Sequence, residues 1–503
     1  MGIVFRQSIK TSMVIFTGAL LGILTIWLST KYIARQPLGF TGNLTYNCLL
    51  LAQIAILGLN STLTVYIHKY PAGDPRRSVL LSLCIGLPVL LCFIAAGPFL
   101  LIRPWVLLHF QETDQWYMNR YYLLIPVYTL LFVLQILLEQ FLGTQMKVAI
   151  AAFIREVVVR LFIIAFILLF AAGYISFDAF VVASVLVYLV PILVYLFIAI
   201  RDGSFSFSLK LRSLAPAEYK ELWHFSWYHF LLAMSITLMS YLDSVALPLY
   251  DHSGFVAAAV YRVAIFLISF LQMPSKAMLN PVVTVLSQAI AEDNQSKIKD
   301  VFARSSINIL IATVFMAAII ICNLDNAISV LSKGYEQIGL IFLILFLGRI
   351  VDLATGVNDA ILSVTKHYKF SFYISIGLIA LLFGLIKWLV PVYGVYGAAW
   401  ATSITLILFN LGKFLYVWLK LDMQPFSIHT LQVLLAGAVT IAAGYFFPHF
   451  LAGKGHMYIY TFIDAGLRSV IIAAVYLLML YWLKPSADLR EYVASIKKNK
   501  RLF

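Results

Sequence analysis

Apolar runs long enough to cross a bilayer recur along the whole chain, about fourteen in number, and a span needs about 20 such residues. Nothing else in the sequence narrows the fold as far. The chain has 503 residues, 62% hydrophobic and 12% charged, whereas soluble proteins carry about 25% charge. It reads as an all-α polytopic membrane protein of about 14 transmembrane helices, with no room for a sizeable water-soluble domain. Cys48, Cys84, Cys92 and Cys322 all lie in apolar runs without CxxC spacing, so they are expected to pack as small hydrophobes and to hold no metal. The opening "MGIVFRQSIK" precedes a run without a small-residue cleavage site, so that run is read as a retained first helix. Arg6 stands where a myristoylation signal wants Ser or Thr.

An even number of spans puts both termini on one side of the membrane. Lys and Arg favour that side by about three to one, which predicts cytoplasmic termini. The net charge of +14 is then explained by insertion and by anionic lipid headgroups, and nucleic acid is not an expected partner. A weak repeat relates helices 1 and 2 to 7 and 8, and helices 5 and 6 to the segment entering helix 12. Two six-helix lobes related by a pseudo-twofold axis along the membrane normal follow. The expected division is an N-terminal lobe 1–200, a cytoplasmic linker 201–224, a C-terminal lobe 225–420, helices 13 and 14 in 421–483, and a basic cytoplasmic tail 484–503.

Charges inside the spans are the candidates for function, because an ionised side chain facing lipid costs at least ~2.5 kcal/mol. In "GRIVDLATGVNDAILSVTKHYKF", residues 348–370, Arg349, Asp352, Gly356, Asp359 and Ser363 fall on one helical stripe at roughly 100° per residue. Asn358 breaks the opposite, apolar face. Arg262, Ser269, Lys276, Asn280 and Ser287 line helix 8, with Pro274 and Pro281 expected to bend it. Arg262 and Lys276 would lie about 21 Å apart along a straight helix. Asp243 of helix 7 is at the depth of Arg262. Two readings stay open: structural pairs, Asp243 with Arg262 and Arg349 with Asp352, or a cationic path for phosphates.

Lys31 and Arg35, an i, i+4 pair at the outer end of helix 1, either snorkel to headgroups or line an outer vestibule. Helices 1 to 6 otherwise read as nearly free of mid-span charge, with "TQMKVAIAAFIREVVVR" taken as a connection. Glu139, Asp325, Asp464 and Arg468 sit near span ends and are expected to be solvated or paired. Glu112 and Asp114 form an acidic ExD pair in an outer loop, expected to be solvated. There is no Walker loop, HExxH or GxSxG motif, so neither an enzyme nor a cofactor is expected.

The segment "YLDSVALPLYDHSGFVAAAVYRVAIFLISFLQMPSKAMLNPVVTVLSQAIAEDNQSKIKDVF" carries Asp243, Tyr261, and Pro274 with Lys276. Together with "ATGVNDAIL", "VYGVYGAAWAT", Pro425-Phe426 and the opening "MGIVFRQSIKTSMVIFTGALLGIL", it resembles the polysaccharide repeat-unit (O-antigen or capsule) flippases of the multidrug, oligosaccharidyl-lipid and polysaccharide exporter superfamily. The likeness runs over nearly the whole chain.

The resemblance implies a flippase in the bacterial cytoplasmic (inner) membrane, serving lipopolysaccharide or capsule biosynthesis. It would carry an undecaprenyl-diphosphate-linked glycan outward by alternating access, with H+ or Na+ as coupling ion and the polysaccharide polymerase and chain-length machinery as partners. Arg262, Lys276 and Arg349 would bind substrate, and Asp243, Asp352 and Asp359 would form coupling or structural ion pairs. The competing readings are a drug or peptidoglycan-precursor transporter of the same fold, and a polytopic glycosyltransferase or polymerase.

Overall fold

A computed structural model of the chain describes residues 2–71, 73–203, 205–208, 210, 213–358, 361–362, 368–447 and 458–491. Its regular structure is helical, with no strand among the described residues. Contacts group the chain into two compact units, Met1–Ala259 and Val260–Phe503.

The first unit holds α1 (Gly2–Tyr32), α2 (Arg35–Ile56), α3 (Leu59–Tyr66), α4 (Pro75–Leu101), α5 (Arg103–Leu107), α6 (Glu112–Tyr121), α7 (Leu124–Thr144), α8 (Val148–Phe153), a π turn at Ile154–Val158, α9 (Val159–Ala171), α10 (Phe177–Leu186), α11 (Leu189–Arg201) and α12 (Pro216–Tyr250). It ends in the first turn of α13 (Phe255–Leu271). The second unit continues with α14 (Met273–Ala291), α15 (Gln295–Cys322), α16 (Leu324–Ser329), α17 (Ile338–Ala354), α18 (Tyr368–Tyr393), α19 (Val395–Leu421), α20 (Ile428–Phe446) and α21 (Tyr458–Leu483).

Among the described residues, ten helices are long and apolar enough to cross a membrane, and two bent pairs raise that to twelve. The pairs are α2 with α3, bent by 54°, and α13 with α14, bent by 47°. The two other apolar runs are also helical. One runs from Val148 through the π turn to Ala171, and the other is α17, whose 17 residues stop at Ala354. The chain is a multi-pass membrane protein.

In the first unit, the break in α2 has a local cause and a tertiary use. Leu57 and Gly58 both take left-handed backbone, φ 50° and 74°, which ends the helix. A Cβ at Gly58 would lie 2.5 Å from Phe230 N, and the Ser226 hydroxyl donates to Leu57 O at 2.6 Å. The kink therefore seats against α12. That helix follows α2 and α3 further: Asn43 Nδ2 donates to Ser244 O at 3.2 Å, Tyr46 stacks on Tyr241 at 5.2 Å, and Tyr66 Oη donates to Glu221 Oε1 at 3.0 Å. Thus α12, the first helix of the expected second lobe, packs in the first unit.

The second unit has an apolar core of Ile307, Leu310 and Val314 from α15, Val433 and Ala436 from α20, and Tyr476 and Leu480 from α21. Arg468 of α21 is 4% exposed. It donates to Cys322 O and Gly444 O at 2.9 Å and to Phe447 O at 3.0 Å. These are carbonyls at the ends of α15 and α20 that helix geometry leaves without a partner. Arg468 is thus paired with backbone carbonyls, and it ties three helices together.

Candidate functional site

In the second unit, α17 approaches α19 closely. A Cβ at Gly348 would lie 2.7 Å from Ser403 Cα, and Ser403 Oγ donates to Ile344 O at 2.6 Å. Directly after this contact, Arg349 Nη1 donates to Asp352 Oδ2 at 2.7 Å, with side chains 20% and 24% exposed. The local pair, one of the two readings that the sequence left open, is therefore formed within α17.

The longer stripe expected on that helix is not. α17 ends at Ala354, and Gly356 has φ 70°, a left-handed conformation that stops an α-helix at low cost only in glycine. A Cβ there would lie 2.6 Å from Ser306 Cβ, so the turn is fitted against α15. Asp352 is consequently in the last turn of a helix, where the chain changes direction. Asp359 and Ser363 lie outside the described residues.

Around the break, polar groups are buried in unusual density. Thr355 Oγ1 donates to Asp352 O at 2.8 Å and lies 3.5 Å from Asn410 Oδ1. Asn358 is 1% exposed, and neither of its amide atoms has a hydrogen-bond partner among the described residues. The account of Asn358 that the sequence lacked is this position: it follows the helix end and faces the interior of the unit. Arg349 Nε is also buried without a hydrogen-bond partner among the described residues.

From α19 come Asn410 and Lys413, each 1% exposed, with Lys413 Nζ 3.7 Å from the Phe409 ring centroid. Sequence reasoning missed both. The available signal was Ser403, Asn410 and Lys413 recurring at i, i+7 and i+10, a spacing that keeps them near one face of a helix.

The other expected residues are placed as follows. Arg262 is half-buried in α13 and Lys276 exposed in α14. The 47° bend between these helices means that the straight-helix separation does not apply. Both make interactions within the protein. Asp243 is 2% exposed in α12, in the first unit, and its Oδ1 accepts from Ser244 N at 2.6 Å. Lys31 is exposed, 5.3 Å from the Trp27 ring and 5.4 Å from that of Tyr32. Arg35 opens α2 and is also exposed.

Two sequence expectations for the first unit are corrected. The helix through the π turn begins at Val148, inside the segment taken as a connection, so Arg155, Glu156 and Arg160 are helical. With Glu139 they make one network. Arg155 bridges Glu139 and, at 3.0 Å, Glu156; Arg160 bridges Glu156 at 2.8 Å and also donates to Gly18 O. Two acids and two bases balance, and they join α1, α7 and α9. The apolar length of the run hid them, because Val, Ile and Ala flank the charges on both sides. The second correction is Asp114, which is 0% exposed and not solvated as an acidic loop pair would be.

No protein-family model matches the sequence, and no curated protein matches it either. Solved structures do. The chain is similar to the lipid II flippase MurJ in an inward closed conformation, with TM-score 0.70 and 15% identity over 94% of this chain and 98% of that one. It is also similar to an inward-facing multidrug resistance MATE family transporter of the MOP superfamily, with TM-score 0.61 and 13% identity over 86% and 98%. A third likeness is to a MOP superfamily transporter from Pyrococcus furiosus, whose reversed binding-pocket polarity is taken to suggest a different function, with TM-score 0.55 and 13% identity over 83% and 96%. Identities this low speak for the fold alone, and on that ground the chain has the fold of MOP superfamily transporters.

Proposed function

We propose that the protein is a flippase that moves an undecaprenyl-diphosphate-linked oligosaccharide from the cytoplasmic to the outer leaflet of the bacterial inner membrane by alternating access. The lobes 1–200 and 225–420 would open in turn about the linker 201–224. The observation that carries this reading is a lipid-flippase-like fold whose second unit holds Arg349 in the apolar helix α17 and Lys413 in the span α19. Cations in such apolar surroundings, Lys413 buried and Arg349 partly so, suit an anionic diphosphate better than a cationic drug.

Arg262, Lys276 and Arg349 contact the diphosphate and acidic sugars, with Lys276 nearest the cytoplasmic entrance, and Lys31 and Arg35 line the outer vestibule. Asp243, Asp352 and Asp359 respond to the coupling ion, H+ or Na+. The loaded step needs little help, because an anion moving outward gains up to ~2.3 kcal/mol per charge per 100 mV. The empty return leaves the cations without substrate, and there the carboxylates matter.

Lys276→Glu is expected to abolish movement of the lipid-linked oligosaccharide in proteoliposomes while the protein still inserts and folds. Full retention of activity would remove Lys276 from the substrate path. Orientation is checked separately. Cysteines replacing Lys220 at the start of α12 and Tyr174 between α9 and α10, both exposed or half-exposed, should label from the cytoplasmic and outer sides respectively. Labelling of both from one side would refute the topology.

A further inference from the structure

The carboxyl group of Asp114 lies where three pieces of chain meet. Its Oδ2 accepts from Phe255 N, at the start of α13, at 2.7 Å. Its Oδ1 accepts from Gln36 Nε2, in the first turn of α2, at 2.8 Å, and the same amide nitrogen donates to Thr113 O at 3.1 Å. The contact is close on both flanks. A Cβ at Gly254, φ 52°, would lie 2.9 Å from Asp114 Cγ, and one at Gly39 would lie 2.7 Å from Phe255 C and 3.0 Å from Ala259 N. Phe40, Phe255 and Ala259 are 0 to 1% exposed around it. The carboxyl therefore joins α6, the head of α2 and the head of α13, all within the first unit.

Both donors to Asp114 are neutral, and no ion pair to it forms among the described residues. The charged groups nearby are few. Glu112 is exposed on α6, Arg35 is exposed beside Gln36, and His252 is exposed in the turn before α13. Tyr117 lies on α6, and Asp251 is buried with Oδ1 accepting from Ser253 N at 2.7 Å. An ionised Asp114 thus bears its desolvation without a full counter-charge, and its hydrogen bonds together with the N-terminal ends of α6 and α13 offset only part of that cost.

We propose that Asp114 is a proton-binding latch, in which uptake of one proton from the aqueous phase beside α6 favours the closed contact of α2 with α13, and its release to that phase favours opening. The sign follows from linkage. A group that holds its proton more tightly in one state stabilises that state as pH falls. Burial pushes Asp114 up from the ordinary carboxylate range, against the two hydrogen bonds that pull it down. Solvent reached on opening removes the burial, so the closed state is the tighter proton binder.

If α6 faces the outer phase, as the function proposed above has it, outer acid closes the emptied transporter and assists its return. That consequence rests on the flippase reading, whereas the latch itself does not. The test therefore uses no substrate. The full chain, with its four cysteines replaced and Ala259→Cys added, is placed in lipid nanodiscs. A polar maleimide labels it, and each value is divided by that of the same protein denatured at the same pH.

Labelling is expected to fall as pH drops from about 8 to about 5, by about tenfold for each pKa unit separating open and closed forms. Asp114→Asn, a stand-in for the protonated acid, should label weakly at both ends of the range. Gln36→Leu removes a donor to the charged form and should move the midpoint to higher pH. Strong labelling of Asp114→Asn, or no pH response in the otherwise unaltered chain, overturns the proposal. If Asp114→Asn does not insert, the Gln36→Leu midpoint decides, and an unchanged or lowered midpoint rejects the latch. A chain that labels as expected yet moves no glycolipid would leave the latch standing and remove the flippase reading.

Discussion

Asp352→Asn and Arg349→Gln are each expected to lose both stability and transport, and the double variant to regain the first without the second. At 2.7 Å, with side chains 20% and 24% exposed, the pair lies between two limits. Breaking a fully buried pair costs about 3–5 kcal/mol, and an exposed pair contributes about 0–1 kcal/mol. About 2 kcal/mol for each single variant is the intermediate expectation. Removing both partners leaves no uncompensated charge, so the double variant should unfold close to the unaltered protein. Thermal unfolding in nanodiscs measures this, with a coupling energy of about 1–2 kcal/mol expected from the cycle.

Transport separates the two roles of the pair. If Arg349 contacts the diphosphate and Asp352 responds to the coupling ion, the double variant stays inactive although it is stable. Asp352→Asn should in addition bind the lipid-linked substrate and no longer respond to an imposed ion gradient. Recovery of transport in the double variant would make the pair a packing element only. The position at the last turn of α17, beside a glycine-determined break, favours the first outcome. A helix end can change its partners at smaller cost than a helix middle, because its carbonyls are not committed.

Gly39→Ala should have the larger conformational effect. The added Cβ meets the Phe255 carbonyl group and lies 3.0 Å from Ala259 N, and backbone cannot swing aside as a side chain can. Overpacking of this kind costs about 1–3 kcal/mol and occasionally more, and the contact that must give is that of α2 with α13. Maleimide labelling of Ala259→Cys should therefore rise by about tenfold or more at every pH. Gly86→Ala is the control, since nothing lies within 4 Å of a Cβ built there. Equal labelling of the two variants would show that the close approach at Gly39 does not hold the contact.

The sequence by itself determined the class of fold and most of its helices, because lipid admits only segments that satisfy their own backbone hydrogen bonds, and apolar length records that directly. It also placed Arg349 and Asp352 within reach of each other, since i and i+3 lie on one helical face, and left open whether they pair. Three matters were decided only by tertiary structure. The stripe from Arg349 to Asp359 stops at Gly356, whose left-handed backbone is sustained by its fit against Ser306. Arg155, Glu156 and Arg160 are admitted to a helix because Glu139, 16 positions before Arg155 and on another helix, completes their charge balance. Asp114 is buried by neighbours from distant segments, and burial is what turns an ordinary surface charge into a candidate site. Local periodicity reports which residues share a face; it holds no record of what that face meets, and desolvation depends on the partner alone.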